Sequence, residues 1–166
     1  MESETAKGWK VRKFMHGGLF NEEGAMLLCS DGNDLRMPGG KVYLADICQF
    51  VNEKWISDFL SRKIEKDTGV ASSLIKKRIQ FFPATYNTYF DNFKEEHSAI
   101  IVGKINLEQI TKENVSFFDV QDILTKKNEE RIKKPQKVLI LRMFASRDCP
   151  NPYNRKIAGK WLQSHT

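Results

Sequence analysis

The sequence has 166 residues, of which 40% are hydrophobic and 29% charged, so it fits one globular domain and excludes a disordered or fibrous chain. No apolar run approaches the roughly 20 residues of a membrane-spanning helix, and the acidic start, Met1-Glu2-Ser3-Glu4, is unlike a secretory signal, so we expect a cytoplasmic protein. The net charge of +6 favours phosphate-bearing partners without saying which.

The first elements are predicted to be two strands and a glycine loop. Strands are expected over residues 11–20 and 25–29, because a turn-forming Asn-Glu-Glu-Gly segment separates two apolar stretches. Pro38-Gly39-Gly40 predicts a tight, exposed loop before a short strand over residues 41–44. The chain is therefore predicted to begin with a β-hairpin, followed by a tight glycine loop.

An amphipathic helix is predicted next, over about residues 45–68. Apolar residues that share one helical face indicate it; they are Val51, Trp55, Ile56, Phe59, Leu60 and Ile64. Gly69 stands where a left-handed helix cap belongs, and Asn52 would alternatively cap a shorter helix that begins near Glu53.

The second half is predicted to contain more strands and a second helix. Strands are expected over residues 75–82, 86–90, 99–105 and 117–120. The consecutive apolar residues after Ala99 indicate a strand buried on both faces. A turn of helix should begin at Asp122, and a longer helix should cover residues 136–145. Residues 1–145 are interpreted as a single domain, and residues 146–166 as a basic tail that packs on it or extends from it.

The three cysteines give no sign of a metal or disulfide framework. Cys29, Cys48 and Cys149 are scattered and form no C-x-x-C pair. We expect them to be reduced and buried.

Two segments resemble a known family. Pro38 to Val42 reads Pro-Gly-Gly-Lys-Val, and residues 62–70 read Arg-Lys-Ile-Glu-Lys-Asp-Thr-Gly-Val. They resemble the opening and the close of the box of the Nudix hydrolase superfamily, G-x5-E-x7-R-E-U-x-E-E-x-G-U, in which U is apolar. The resemblance implies an α/β/α sandwich with a mixed β-sheet, with the box helix on one face and the helix near Leu139 on the other.

The acids of that box are mostly replaced in this chain. In the family, clustered acids on one helix face hold divalent metal, which neutralises a diphosphate and activates water. Lys63 and Lys66 occupy two of the three clustered acid positions and leave only Asp67, and the interval from Gly40 to Arg62 is eight residues longer than in the family. The box is therefore degenerate.

The resemblance implies a set of candidate site residues. Asp67 with Glu53 or Glu65 would be the ligands of a single Mg²⁺. Residues that would hold phosphate, or stack on a base in the case of the tyrosine, are Arg36, Gly40, Lys41, Arg62, Lys63, Lys66 and Tyr89. No general base is assigned, because a histidine at a strand entrance, such as His97, more often has a structural role.

Two functions remain open at this point. The first is binding, with or without slow hydrolysis, of a nucleoside diphosphate linked to another moiety. Nucleotide sugars are favoured because the GDP-mannose mannosyl hydrolases also lack the first two clustered acids and keep the last. The alternative is a catalytically inactive Nudix-fold module that binds RNA or a protein partner, which the lysines and the basic tail with Tyr153 and Trp161 support. A homodimer is compatible with either function.

Overall fold

The structure is a computed structural model that describes residues 3–4, 10–42, 53–76, 80–90, 93–106 and 109–165. The strands of these residues are β1 (Ser3–Glu4), β2 (Lys10–Phe20), β3 (Met26–Asp31), β4 (Asp34–Arg36), β5 (Gly39–Val42), β6 (Gln80–Phe90), β7 (Phe93–Lys104) and β8 (Val115–Phe118). The helices are α1 (Glu53–Thr68), α2 (Ser72–Lys76), α3 (Val120–Leu124), α4 (Lys126–Glu129), α5 (Lys134–Phe144) and α6 (Pro152–His165).

The described strands form one mixed sheet around β2. The main order is β4-β3-β2-β7-β6, while β1 and β5 also pair with β2, and β8 pairs with β3. β2 and β7 run parallel, from Lys10 opposite Phe93 to Phe20 opposite Lys104, and the other described pairs are antiparallel. The pairing of β2 with β7 therefore joins two distant parts of the sequence at the centre of the sheet.

Helices cover both faces of this sheet. Alternate residues of β3 enter different cores, because successive side chains of a strand point to opposite faces. Met26 and Leu28 pack in the cluster that contains α5, whereas Leu27 and Cys29 pack in the cluster that contains α1. The predicted α/β/α sandwich with a mixed sheet is thus confirmed.

The predicted amphipathic helix and its end are present. The described part of this helix is α1, and residues 45–52 of the prediction lie outside the described residues. Phe59, Leu60 and Ile64 are buried, as the apolar pattern requires. Gly69 has φ of +81°, and its N–H donates to the Glu65 carbonyl at 2.8 Å, so it caps the helix as predicted.

The glycine segment was predicted wrongly as an exposed loop. Gly39 and Gly40 begin strand β5 and lie opposite His16 and Met15 of β2, and both are half-buried. The predicted strand over residues 41–44 therefore starts earlier, and its last two residues lie outside the described part. Pairing with β2 supplies the backbone partners that a loop would have found in water.

The strand predicted over residues 75–82 is also corrected. Ser72–Lys76 is helix α2, whose first turn is held by the Glu65 carboxylate, which accepts from the Ser72 N–H at 2.8 Å. Further on, β6 runs through Pro83 instead of breaking there, with a register shift between Gln80 and Ala84. Proline is tolerated because β6 is the last strand of the main order and is irregular at this point.

The later predictions are closer to the structure. The strand predicted over residues 99–105 lies mostly within β7, although the side chains of residues 99–103 are outside the described part. Val120 begins α3 instead of ending a strand, because Asp119 and Asp122 form a reciprocal capping box. The helix predicted over residues 136–145 is α5.

The end of the chain is helical and contributes to the core. Ala158 and Asn154 of α6 are buried, and Trp161 packs against the cluster that contains α5. The division of the chain at residue 145 stays a prediction. Cys29 and Cys149 are free and buried, as expected, and Cys48 lies outside the described residues. None of the described helices has the length and hydropathy to cross a bilayer.

Candidate functional site

A cavity of about 330 Å³ opens beside Gly39 and Gly40, between the sheet and the start of α5. Its lining comes from β2 and β7, from the segment that contains β4 and β5, and from the residues around Pro135. Side chains of both charge signs line the cavity. The cations are Arg36, Lys41 and Lys133, and the acids are Asp31, Asp34 and Glu95. The cavity is the size of a small-molecule site.

A chain of hydrogen bonds runs along the cavity wall. The N–H of Met37 donates to Oε1 of Gln136 at 3.1 Å, and Nε2 of Gln136 lies 3.0 Å from Nδ1 of His16. Nε2 of His16 lies 3.0 Å from Nδ1 of His97, and Nε2 of His97 lies 3.3 Å from Oε1 of Glu95. All of these residues line the cavity.

The direction of this chain follows from its first bond. A backbone N–H can only donate, so Oε1 of Gln136 is the acceptor and its amide nitrogen must donate to His16. Nε2 of Gln136 lies 3.0 Å from Nδ1 of His16 and 3.3 Å from its Nε2. With the nearer nitrogen, Nδ1, as the acceptor, Nε2 of His16 carries the proton given to His97, and Nε2 of His97 carries the proton given to Glu95. Both histidines are neutral in this arrangement, and every N–H points toward the Glu95 carboxylate.

Burial explains why the histidines stay neutral. It lowers the pKa of His16 from 6.5 to about 3, assisted by the nearby charges of His97 and Arg36. Burial also lowers the pKa of His97, although its bond to Glu95 acts in the opposite direction. The Phe14 ring stacks on His97 with centroids 4.7 Å apart, which covers the imidazole with apolar surface.

A second cluster lies behind Gly39, where β4 meets the end of α1. Arg36 donates to Asp67 through Nη1 at 3.0 Å and Nη2 at 3.3 Å, and its Nε donates to Asp31. The N–H of Gly39 donates to Oδ2 of Asp67 at 2.9 Å. Burial alone would lower the pKa of Arg36, but the bonds to Asp67 and Asp31 outweigh it and raise that pKa. Arg36 is therefore a fixed cation between two carboxylates.

The charged residues of α1 do not line the cavity. Lys63 extends behind the backbone of Gly40, where a Cβ built on that glycine would lie 3.8 Å from Cδ of the lysine. Lys66 is exposed, and Arg62 is exposed with its Nε donating to the Asp58 carbonyl. The candidates Arg36, Gly40 and Lys41 do line the cavity, so the structure separates the predicted site residues into two groups.

The described side chains around Asp67 do not fit a divalent cation. Both Asp67 oxygens already accept hydrogen bonds, and the Glu65 carboxylate is engaged at Ser72, on another face of the helix. The side chain of Glu53 lies outside the described part. Within the described part, no three His, Cys, Asp or Glu residues are grouped as metal ligands would be. No catalytic step through a metal follows from these residues.

Two aromatic candidates lie away from the cavity. Tyr89 of β6 is 56% exposed and is not part of the lining. Trp161 packs against the core, stacks on His165 with centroids 4.1 Å apart, and faces Nζ of Lys137 at 5.3 Å. Trp161 is thus already stacked within the protein, which removes part of the support for RNA binding by the tail.

Sequence reasoning missed most of the cavity wall. His16, His97 and Glu95 meet only because β2 and β7 are parallel, and Gln136 and Lys133 arrive from the start of α5. A period-2 reading of both strands would have placed His16 with Phe14, and His97 with Glu95, on one face each. No local signal shows that the two strands are neighbours.

Comparisons with known proteins agree with the fold. The structure is similar to a MutT protein from Methanosarcina mazei Go1, with a TM-score of 0.57, 14% identity and coverage of 80% of this chain and 91% of that one. It is also similar to a NUDIX hydrolase from Nitrosomonas europaea, with a TM-score of 0.54, 12% identity and coverage of 87% and 95%. No protein-family model matches the sequence, and no curated protein does. The chain therefore has the fold of the Nudix hydrolase superfamily, as its glycine segment and the end of α1 predict.

Proposed function

We propose that this protein binds a nucleoside diphosphate joined to another moiety, of the nucleotide-sugar type, in the cavity beside Gly39 and Gly40. The observation that carries the proposal is the cavity itself, which combines cations, carboxylates that include Glu95 at the end of the hydrogen-bond chain, and the Phe14 ring in a Nudix-type fold. Such a ligand brings both anionic oxygens and groups that donate hydrogen bonds. The charged end of α1 is not part of this binding site.

The phosphates would lie near Lys41 and Lys133. Lys133 is the N-cap residue of α5, so the positive end of the helix dipole adds to the lysine charge on that side of the cavity. Lys41 of β5 lies opposite Phe14 of β2 in the sheet, and both residues line the cavity. The cations line a space that a diphosphate can enter.

The base or sugar would lie near Glu95. The hydrogen-bond chain ends on this carboxylate, which only accepts, so a ligand must bring N–H or O–H groups to it. Phosphate oxygens would be repelled there. The ligand is thereby oriented with its anionic part at the lysines and its donors at Glu95.

The test is a binding panel that compares two adjacent lysines. Calorimetry with pyrophosphate, nucleoside diphosphates and nucleotide sugars is run on the wild type, on Lys133→Ala and on Lys134→Ala, in EDTA and in Mg²⁺. Lys134 is exposed and does not line the cavity, so it is the matched control. Lys133→Ala should weaken binding about five- to tenfold, and Lys134→Ala less than about twofold.

A product-release assay on the same compounds and a binding assay with single-stranded RNA separate the other functions. Release of product that rises with Mg²⁺ would show a metal-dependent hydrolase and contradict the site described here. Binding of single-stranded RNA with a steep salt dependence, together with no nucleotide binding, would instead favour the inactive RNA module. Equal affinity of the two lysine variants for the ligand would show that the ligand does not bind in this cavity.

A further inference from the structure

We propose that Arg36 takes the place of the divalent cation of the Nudix box, so that a guanidinium joins the end of α1 to the glycine segment. This proposal does not depend on what the cavity binds. It rests on the contacts of Asp67, which matches the one clustered acid of the box that this chain keeps.

The geometry gives Asp67 the partners that a bound cation would otherwise provide. Its two oxygens accept from the two Nη atoms of Arg36 in a bidentate pair, and Oδ2 also accepts from the N–H of Gly39. Only 15% of the Asp67 side chain is exposed, so the carboxylate has little access to water. Its charge is balanced from within the chain.

Arg36 also pairs with a second carboxylate. Its Nε donates to Asp31, so that one cation lies between acids from β3 and from α1. A divalent ion binds where several carboxylate oxygens converge without a fixed positive charge among them. Here the guanidinium occupies the point of convergence, and a metal ion would be placed beside it against Coulomb repulsion.

Lys63 extends the same substitution. Its side chain lies behind Gly40, in one of the acid positions of the family box, and adds a second positive charge to this part of the molecule. The arginine binds the remaining acid, and the lysine replaces a lost one. The end of α1 is therefore joined to β5 by hydrogen bonds of Asp67, without a metal ion.

The test uses Mn²⁺ alone as a probe of thermal stability. We expect the Tm of the wild type to be the same in EDTA and in millimolar Mn²⁺. Arg36→Gln should lower the Tm in EDTA by about 3–8 °C, because two carboxylates lose their shared cation. Mn²⁺ should then restore part of that loss, since the acids become available to it.

Two controls locate the effect. The double variant Arg36→Gln, Asp67→Asn should not respond to Mn²⁺, and Arg62→Gln, on the exposed side of α1, should behave as the wild type. Arg36→Lys keeps the charge without the planar fork and should lose less stability than Arg36→Gln, without responding to Mn²⁺.

The proposal is overturned by either of two results. One is Mn²⁺ binding to the wild-type protein, seen by electron paramagnetic resonance, that disappears in Asp67→Asn. The other is a folded Arg36→Gln whose Tm is unchanged by Mn²⁺. If Arg36→Gln does not fold, the wild-type resonance measurement decides alone, and absence of Asp67-dependent binding supports the proposal.

Discussion

Nε2 of His16 and Nδ1 of His97 lie 3.0 Å apart, which means that two histidines from parallel strands share a single proton. A further proton on Nδ1 of His97 would break this bond, and a further proton on Nδ1 of His16 would break the bond that this nitrogen accepts from Gln136. The rest of the chain, from Met37 to Glu95, depends on the same protonation state.

Stability should therefore fall as the pH is lowered. The pKa of His16 is about 3 in the folded protein and 6.5 ordinarily, so the unfolded chain binds more protons between these values. The contribution of His16 is complete above pH 6.5 and is lost below it, by up to about 1.4 kcal/mol per pH unit. Urea unfolding from neutral pH to pH 5 measures it. His16→Asn should have a shallower slope, while the exposed His165→Gln should match the wild type.

Glu95→Gln should lower the affinity for ligands that donate hydrogen bonds, but not the affinity for pyrophosphate. Ligands with N–H or O–H donors should bind about tenfold more weakly, because the amide offers no charged acceptor, whereas pyrophosphate should bind at least as tightly as before. Glu96→Gln is the control, since Glu96 is paired with Lys13 and Lys94 and does not line the cavity. An equal loss for pyrophosphate would show that Glu95 acts through the structure and not on the ligand.

Alanine should reduce the free energy of unfolding much more at Gly39 than at Gly40. Gly39 has φ of +143°, and a Cβ there would lie 2.1 Å from the Met15 carbonyl oxygen, so Gly39→Ala should cost about 2–4 kcal/mol. The nearest atom to a Cβ on Gly40 is Cδ of Lys63 at 3.8 Å, an ordinary contact. Gly40→Ala should change the free energy of unfolding by less than about 1 kcal/mol. Denaturant melts of both variants make the comparison.

Gly69 and Gly159 give a second matched pair. Gly69→Ala should destabilise the protein by about 1–3 kcal/mol, because φ is +81° and a Cβ would lie 1.7 Å from Oγ1 of Thr111. Gly159 lies in α6 with no atom within 4 Å of a built Cβ, so Gly159→Ala should stabilise by up to about 1 kcal/mol. A stable Gly69→Ala protein would mean that the helix ends differently.

Local signals carried the sequence predictions that proved correct. The hairpin of β2 and β3, the apolar face of α1 and the cap at Gly69 each follow from residues within a few positions of one another. The strand predicted over residues 75–82 was wrong at its start, because the Glu65 side chain caps helix α2 from seven positions before Ser72, whereas residues 80–82 lie in β6 as predicted. The spacing of apolar residues along the sequence does not reveal side-chain contacts of that kind.

The candidate site was harder to predict because long-range contacts build it. Arg36 was expected to hold phosphate, but its guanidinium binds Asp67, 31 positions away. Gln136 reaches His16 across 120 positions. The family resemblance located the glycine segment and α1, and three of its candidates, Arg36, Gly40 and Lys41, line the cavity, but it gave no information on the histidines or Gln136.

The parallel pairing of β2 with β7 also bears on how the chain folds. β2 leaves the ribosome about 80 residues before its partner, so the central strand of the sheet must wait for most of the chain to be synthesised. The edge of β2 that pairs with β7 has no strand partner for that time, and such high contact order slows folding. Fragments that stop before residue 93 lack the parallel partner of the central strand, and we expect them to expose an unpaired strand edge of the kind that promotes aggregation.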